Sequence, residues 1–205
     1  MKNYENVEER EPLLVVISGT SGAGKDSVIR RLKERDLSFH FVVTTTSRKI
    51  RKGEVEGTDY FFVTEEEFRQ GIKDDKFLEH AIVYKQYKGV AKKQVKEALE
   101  SGVDVLMRLN VAGAATIKSK SADAILIFIT TVNQEELIAR LSSRSTDTQE
   151  QLETRLRIAK EELEQMPLFD YKIINYDNQL EKAVDQIVAI IEAEHLKVHK
   201  RRITL

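Results

Sequence analysis

Five short apolar runs punctuate an otherwise polar chain: Leu13–Ser18, His40–Thr44, Val103–Leu109, Ala124–Thr130 and Tyr171–Asn175. Each is β-branched and bounded by polar or turn-forming residues, the pattern of strands buried on both faces of a parallel sheet. Helical stretches separate most of them, which predicts an α/β fold built on a doubly wound sheet. From Gln179 to about Lys197, the residues Leu180, Val184, Ile187, Val188 and Ile191 recur with helical period, so this segment should cover the sheet.

Two stretches break the alternation. From Thr45 to about Val90 the chain is polar and strand-rich, with Tyr60–Val63 and Leu78–Tyr84 as candidate short strands. From Asn133 to Phe169 it is almost wholly helical, broken only by the Ser/Thr/Asp-rich run Ser142–Thr148. Both read as insertions at the C-terminal edge of the sheet, where open α/β folds bind ligands. The expected layout is a polar extension over 1–12, a core from 13–43, 91–132 and 170–205, one inserted subdomain over 44–90 and a helical one over 133–169.

Composition narrows the chemistry. Hydrophobic residues make up 41% of the 205 and charged ones 33%, enough for a core under a charged surface and unlike a disordered chain. With 33 basic against 34 acidic residues, no whole-molecule field favours nucleic acid or a membrane, and any anion must be held by a local cluster. Cysteine is absent, which excludes disulfides and thiolate metal sites. The first residues, Met1 to Pro12, are polar and Glu-rich, unlike a secretion signal or a transit peptide. A cytoplasmic location is the expectation, with an organellar matrix if a leader once preceded Met1. No apolar run approaches the roughly 20 residues that span a bilayer. Nothing in the sequence speaks to oligomeric state.

The first apolar run leads into Gly19-Thr20-Ser21-Gly22-Ala23-Gly24-Lys25-Asp26-Ser27, and a helical pattern with Val28, Ile29 and Leu32 follows. Strand, glycine loop and helix in that order make a P-loop: backbone N–H groups converge on phosphate oxygens, and Lys25 reaches the outer phosphates. After Gly-Lys the pattern wants a Ser or Thr that ligates Mg²⁺. Here Asp26 stands there and Ser27 follows, which makes Asp26 the candidate Mg²⁺ ligand. A second cluster lies between Thr44 and Tyr60, where Arg48 and Arg51 are spaced to converge and Tyr60 follows a Gly-x-x-x-Gly stretch. Paired guanidinium forks and a phenol suit a phosphate dianion.

Thr44–Tyr60 resembles the guanylate kinase motif S-x-T-T-R-x-x-R-x-G-E-x-x-G-x-D-Y, and the similarity runs from about Leu13 to Ile191. The Gly-Lys-Asp loop, Tyr87-Lys88-Gly89 and the tail Lys197-Val198-His199-Lys200 look most like the organellar branch of the family. The resemblance implies phosphoryl transfer from ATP, with Mg²⁺, to GMP or dGMP. It makes 44–90 the GMP-binding subdomain and 133–169 a closing lid. It assigns Arg48, Arg51 and Tyr60 to the GMP phosphate, and Thr44 and Glu79 to the guanine. Arg140, Arg144 and Arg155 become lid arginines that neutralise the transferring phosphoryl. Asn175 becomes an adenine contact, and Lys25, Arg48, Arg144 and Arg155 carry the largest rate effects.

Several positions depart from the family pattern. Lys88 replaces a second phosphate-binding tyrosine, Val90 a guanine-side serine, and Arg108, Asn110 and Ala112 replace the Asp, Asp and Gln of a strand end. Asp26 and Arg108 read as a linked exchange, while Asn110 keeps an acceptor oxygen toward guanine without the charge. These changes leave two rivals open: a kinase of the same scaffold acting on another acceptor, such as a ribose bisphosphate, and a family-like interaction module. Leu152, Leu156, Ala159 and Leu163 form an apolar stripe on the lid, and His195 and His199 read as a solvated helix end.

Overall fold

The computed structural model describes residues 10–35, 37–83, 86–142 and 149–205. Its central sheet has five parallel strands: β1 (Leu14–Gly19), β2 (Phe39–Phe41), β7 (Asp104–Arg108), β8 (Ile125–Thr130) and β9 (Tyr171–Ile174), in the order β2-β7-β1-β8-β9. All five predicted strands are present. Every residue of β1 and β8 is buried, because helices cover both faces. Alternation along β1 sends Val15 and Ile17 to one face and Leu14 and Val16 to the other. Val15 and Ile17 pack with Val28 and Leu32 of α1 (Lys25–Lys33) and with Val184, Ile187 and Ile191 of α7 (Leu180–His195). Leu14 and Val16 pack with Val95 of α3 (Lys92–Glu100) and with Ala114 and Ile117 of α4 (Val111–Lys120).

A second, four-stranded sheet comes from β3 (Thr45–Thr46), β4 (Phe61–Phe62), β5 (Phe77–Val83) and β6 (Gln86–Ala91), ordered β4-β3-β6-β5. Both candidate short strands of this region are present. Between β4 and β5 runs α2 (Glu65–Lys73), started by a capping box in which Thr64 and Glu67 satisfy each other's backbone N–H groups. Phe68 of α2 stacks on Phe77 and Tyr87, 4.2 and 5.2 Å between ring centroids, and so pins α2 to this sheet. Two further helices, α5 (Gln134–Ser142) and α6 (Gln149–Glu164), follow β8. Leu137 and Leu141 of α5 enclose Ala159 of α6, with Leu156 against them. Leu163 is 37% exposed, so the apolar stripe of α6 fades at its C-terminal end, and the Leu152 side chain lies outside the described residues. Among the described residues, no helix is long and apolar enough to cross a membrane.

Both ends of the described chain are tied to the central sheet through buried carboxylates. Asp104 accepts hydrogen bonds from the Leu13 N–H at 2.9 Å and from Arg10 at 3.0 Å, and it lies 2.8 Å from His195 Nε2. His195 is therefore not the solvated helix end expected from its position: the last turn of α7 directs its ring inward onto Asp104. Glu194, fully buried, accepts from Lys197, Arg201 and the Tyr171 hydroxyl. Burial alone would push this carboxyl up, but the hydrogen bonds from Arg201, Lys197 and Tyr171 outweigh it and bring it down to about 2. A depressed carboxyl contributes stability that is present above its ordinary 4.5 and is lost as pH falls toward about 2. Arg201→Ala, which strands the buried charge, should lower unfolding free energy by about 3 kcal/mol at neutral pH. Urea unfolding is expected to show that deficit shrinking as the pH is taken below 4.5.

Candidate active site

β1 ends where its chain crosses closest to β8. A Cβ at Gly19 would lie 1.9 Å from the Ile129 carbonyl oxygen, so only glycine lets the loop start there. The Thr20 N–H continues the ladder onto that carbonyl at 3.1 Å. The loop closes through Gly24, at φ 84° just before α1, where the helix has no side-chain cap. A helix N-terminus of this kind suits an anion. Asn175, just past β9, donates from Nδ2 to the Ala23 carbonyl at 2.8 Å, and its own carbonyl accepts from Arg140 at 2.7 Å. Arg140 is also paired with Glu136 one turn before it. Lys25 curls over the loop, donating to the Gly19 and Thr20 carbonyls, each at 2.7 Å.

Above this loop lies a cavity of about 300 Å³. Ser21 and Lys25 line one side; Thr44, Tyr60, Glu79 and Lys88 line the other, with Arg108 and Asn110 at the end of β7 between them. The Lys88 ammonium sits 5.4 Å from the Tyr60 ring centre, and the Arg48 guanidinium 4.8 Å from it. Arg48 does not line the cavity. Two hydrogen bonds to Glu54 capture its guanidinium behind Tyr60, one of them at 2.7 Å. Those bonds from Arg48, together with the Arg51 backbone N–H, hold the Glu54 carboxyl at about 2 against a burial that opposes it. Arg51 itself is exposed on the loop: Glu54 takes hydrogen bonds from the Arg48 side chain and from the Arg51 backbone N–H, and the Arg51 charge acts on the same carboxylate.

Across the cavity, Asn110 occupies the N-cap of α4 and accepts the Gly113 N–H at 2.8 Å. The acceptor oxygen expected to face a base is therefore engaged by the helix, and the side chain offers a ligand its amide donors instead. Glu79 lies beside it: a Cβ on Gly113 would be 3.1 Å from the Glu79 carboxylate and 3.0 Å from the Asn110 oxygen. Arg108 reaches back to the first turn of α1, with Nη1 2.5 Å from Asp26 Oδ1, so the paired exchange expected at these positions is a direct ion pair. Asp26 remains 76% exposed. Ser27 follows it in the first turn of α1, and Gly22 packs against Leu141 of α5. Arg155 lies on α6 among the described residues, whereas Arg144 lies outside them.

One contact lay beyond the sequence reading. Glu162, on α6, accepts the Ser21 N–H at 2.6 Å and lines the cavity next to Lys25. A glutamate on a charged helix carries no signal of such a role. The only hint is its place two turns after Arg155, on the same helix face.

A family model described as guanylate kinase matches residues 11–194. The chain belongs to the guanylate kinase family. It is 45% identical over 95% of its length to the rice (Oryza sativa subsp. japonica) protein named guanylate kinase 2, chloroplastic/mitochondrial, covering 69% of that protein. It is also 45% identical to the guanylate kinase of Fusobacterium nucleatum, over 87% of this chain and 95% of that one. The crystal structure of guanylate kinase from Anaplasma phagocytophilum superposes with a TM-score of 0.74 at 29% identity, covering 93% of this chain and 89% of that one. TT1252 from Thermus thermophilus shares the fold alone, with a TM-score of 0.51 at 14% identity over 91% of this chain and 99% of that one.

Among the groups facing the cavity, Glu79 is the most perturbed. Burial, partly offset by Lys120, pushes its carboxyl up to about 7. A carboxyl raised in the folded state contributes stability that is full below its ordinary 4.5 and is lost as pH rises through about 7. Glu79→Gln removes that titration. The stability difference, Glu79→Gln minus wild type, should therefore grow in the variant's favour from about pH 5 to about pH 8, as measured by urea unfolding.

Proposed function

We propose that the chain transfers the outer phosphoryl group of ATP to GMP or dGMP, giving ADP and GDP or dGDP. The observation that carries this reading is the single cavity between two unlike walls. Ser21 and Lys25 of the P-loop form one wall, and Tyr60, Lys88, Thr44 and Glu79 form the other. Residues 13–43, 91–132 and 170–205 supply the donor platform, 44–90 the acceptor site and 133–169 the lid.

ATP would lie along Gly19–Ser27 with its phosphates on the loop N–H groups and the α1 N-terminus. Its adenine would lie toward Asn175 and Arg140, on the far side of the loop from the cavity. The acceptor phosphate would sit against Tyr60 and Lys88, drawing Arg48 and Arg51 from their loop. Arg48 would leave its place behind Tyr60 and exchange the Glu54 carboxylate for a phosphate, one anion for another. Glu79, ionised by the purine it binds, would accept from the N–H edge of guanine, an edge adenine does not present, while Thr44 adds a hydroxyl. Asn110, with its oxygen on Gly113, contributes donors or nothing.

The residues fit a nucleotide-borne Mg²⁺. Among the described residues no three His, Asp or Glu side chains form a metal cage, whereas Asp26 has an exposed carboxylate beside the phosphate loop. Asp26 and Ser27 would hold such an ion together with phosphate oxygens, and the ion would supply charge neutralisation between the outer phosphates. Lys25, Arg108, Arg155 and Arg144 supply the remaining positive charge. The acceptor phosphate is ionised at neutral pH, so no side chain need remove a proton. Catalysis is alignment and charge neutralisation, with the lid excluding water.

The test is ADP release with Mg·ATP and a panel of acceptors. GMP and dGMP should give turnover, with AMP weaker by about a hundredfold or more in kcat/KM. Preference for a ribose bisphosphate would point to the same scaffold serving another acceptor, and no turnover with any acceptor would point to a binding module.

A further inference from the structure

Glu162 places a carboxylate inside an anion cradle. Its Oε2 takes the Ser21 N–H at 2.6 Å, and Lys25 lies close enough to act on its charge. Ser21 belongs to the end of the loop that opens on the cavity shared with Tyr60 and Lys88. The opposite end, at Ala23 and Gly24, is the one gripped by Asn175. The donor's outermost phosphate must lie at the cavity end, because the acceptor approaches from there. Glu162 therefore sits where that phosphate would bind. Two anions cannot share one N–H donor and one ammonium without strong mutual repulsion.

We infer that Glu162 is a donor-specificity residue: its carboxylate holds the outer-phosphate position, so that a nucleoside triphosphate has to displace it while a nucleoside diphosphate binds alongside it. The inference rests on the donor-site reading given above. Burial already pushes the Glu162 carboxyl up, with the Ser21 N–H and Lys25 pulling the other way, so the group is held by those two partners and not by solvent. Displacement breaks the Ser21–Glu162 bond, which ties α6 to the loop. Release of the outer phosphate to the acceptor lets Glu162 return.

Calorimetric titration of the full chain with ATP and with ADP, each in excess Mg²⁺ and without acceptor, tests this. The proteins compared are wild type, Glu162→Gln and Glu162→Ala. Gln keeps an acceptor for the Ser21 N–H and drops the charge; Ala drops both. Both variants should bind ATP about tenfold tighter while ADP affinity stays within about twofold, so the ADP-to-ATP ratio of Kd values rises about tenfold. An unchanged ratio in both variants would overturn the inference, and equal weakening of both nucleotides would show Glu162 to be only a pin between α6 and the loop. Failure of wild type to bind either nucleotide would overturn the donor-site reading and this inference with it.

Discussion

Where β1 gives way to the phosphate loop, the chain runs so close to Ile129 of β8 that no side chain fits at Gly19. That backbone-to-backbone contact fixes where the loop begins, and the remaining geometry follows from it. The Thr20 N–H joins the β8 ladder, the loop turns under α5 at Gly22, and it closes against Asn175 beyond β9. Three separate elements thus hold a loop that makes few bonds of its own. The loop lies at the C-terminal edge of a sheet whose central strands, β1 and β8, are buried on both faces. A rigid platform matters because phosphoryl transfer depends on position more than on any reactive side chain.

The charges around the cavity are stored in internal pairs. Arg48 is held by Glu54 on the acceptor side, and Arg108 by Asp26 at the donor side. Leaving a guanidinium unpaired in a half-buried cleft costs free energy, whereas exchanging a carboxylate for a phosphate keeps the charge count even. A cleft built this way keeps its arginines paired until an anion arrives. Lys88 and Arg108, the two positions that depart most from the family pattern, both add positive charge to the cavity wall. The Asp26 carboxylate compensates one of them.

The central sheet was legible because its strands are continuous apolar runs, which little else in a globular chain resembles. The glycine loop was legible because Lys25 beside two turn-forming glycines has a chemical use and little structural one. Side-chain partners were not. Asn110 reads equally as a base contact or a helix cap; its spacing to Gly113 favours the cap, a local signal that the family pattern obscured. Arg51 carries the same charge as Arg48, yet Glu54 takes the side chain of one and the backbone of the other, a choice set by loop geometry. Glu162, Glu194 and His195 look like ordinary polar residues of surface helices. Their burial depends on what packs across from them, which helical period alone does not reveal.

The central claim is that one cleft holds two phosphate sites facing each other. The most direct measurement is titration with a single molecule that joins adenosine and guanosine through five phosphates, followed by competition with ATP and with GMP. The account predicts one molecule bound per chain, tighter than either nucleotide alone and displacing both. Displacement of only one nucleotide, or affinity no better than ATP by itself, would contradict it.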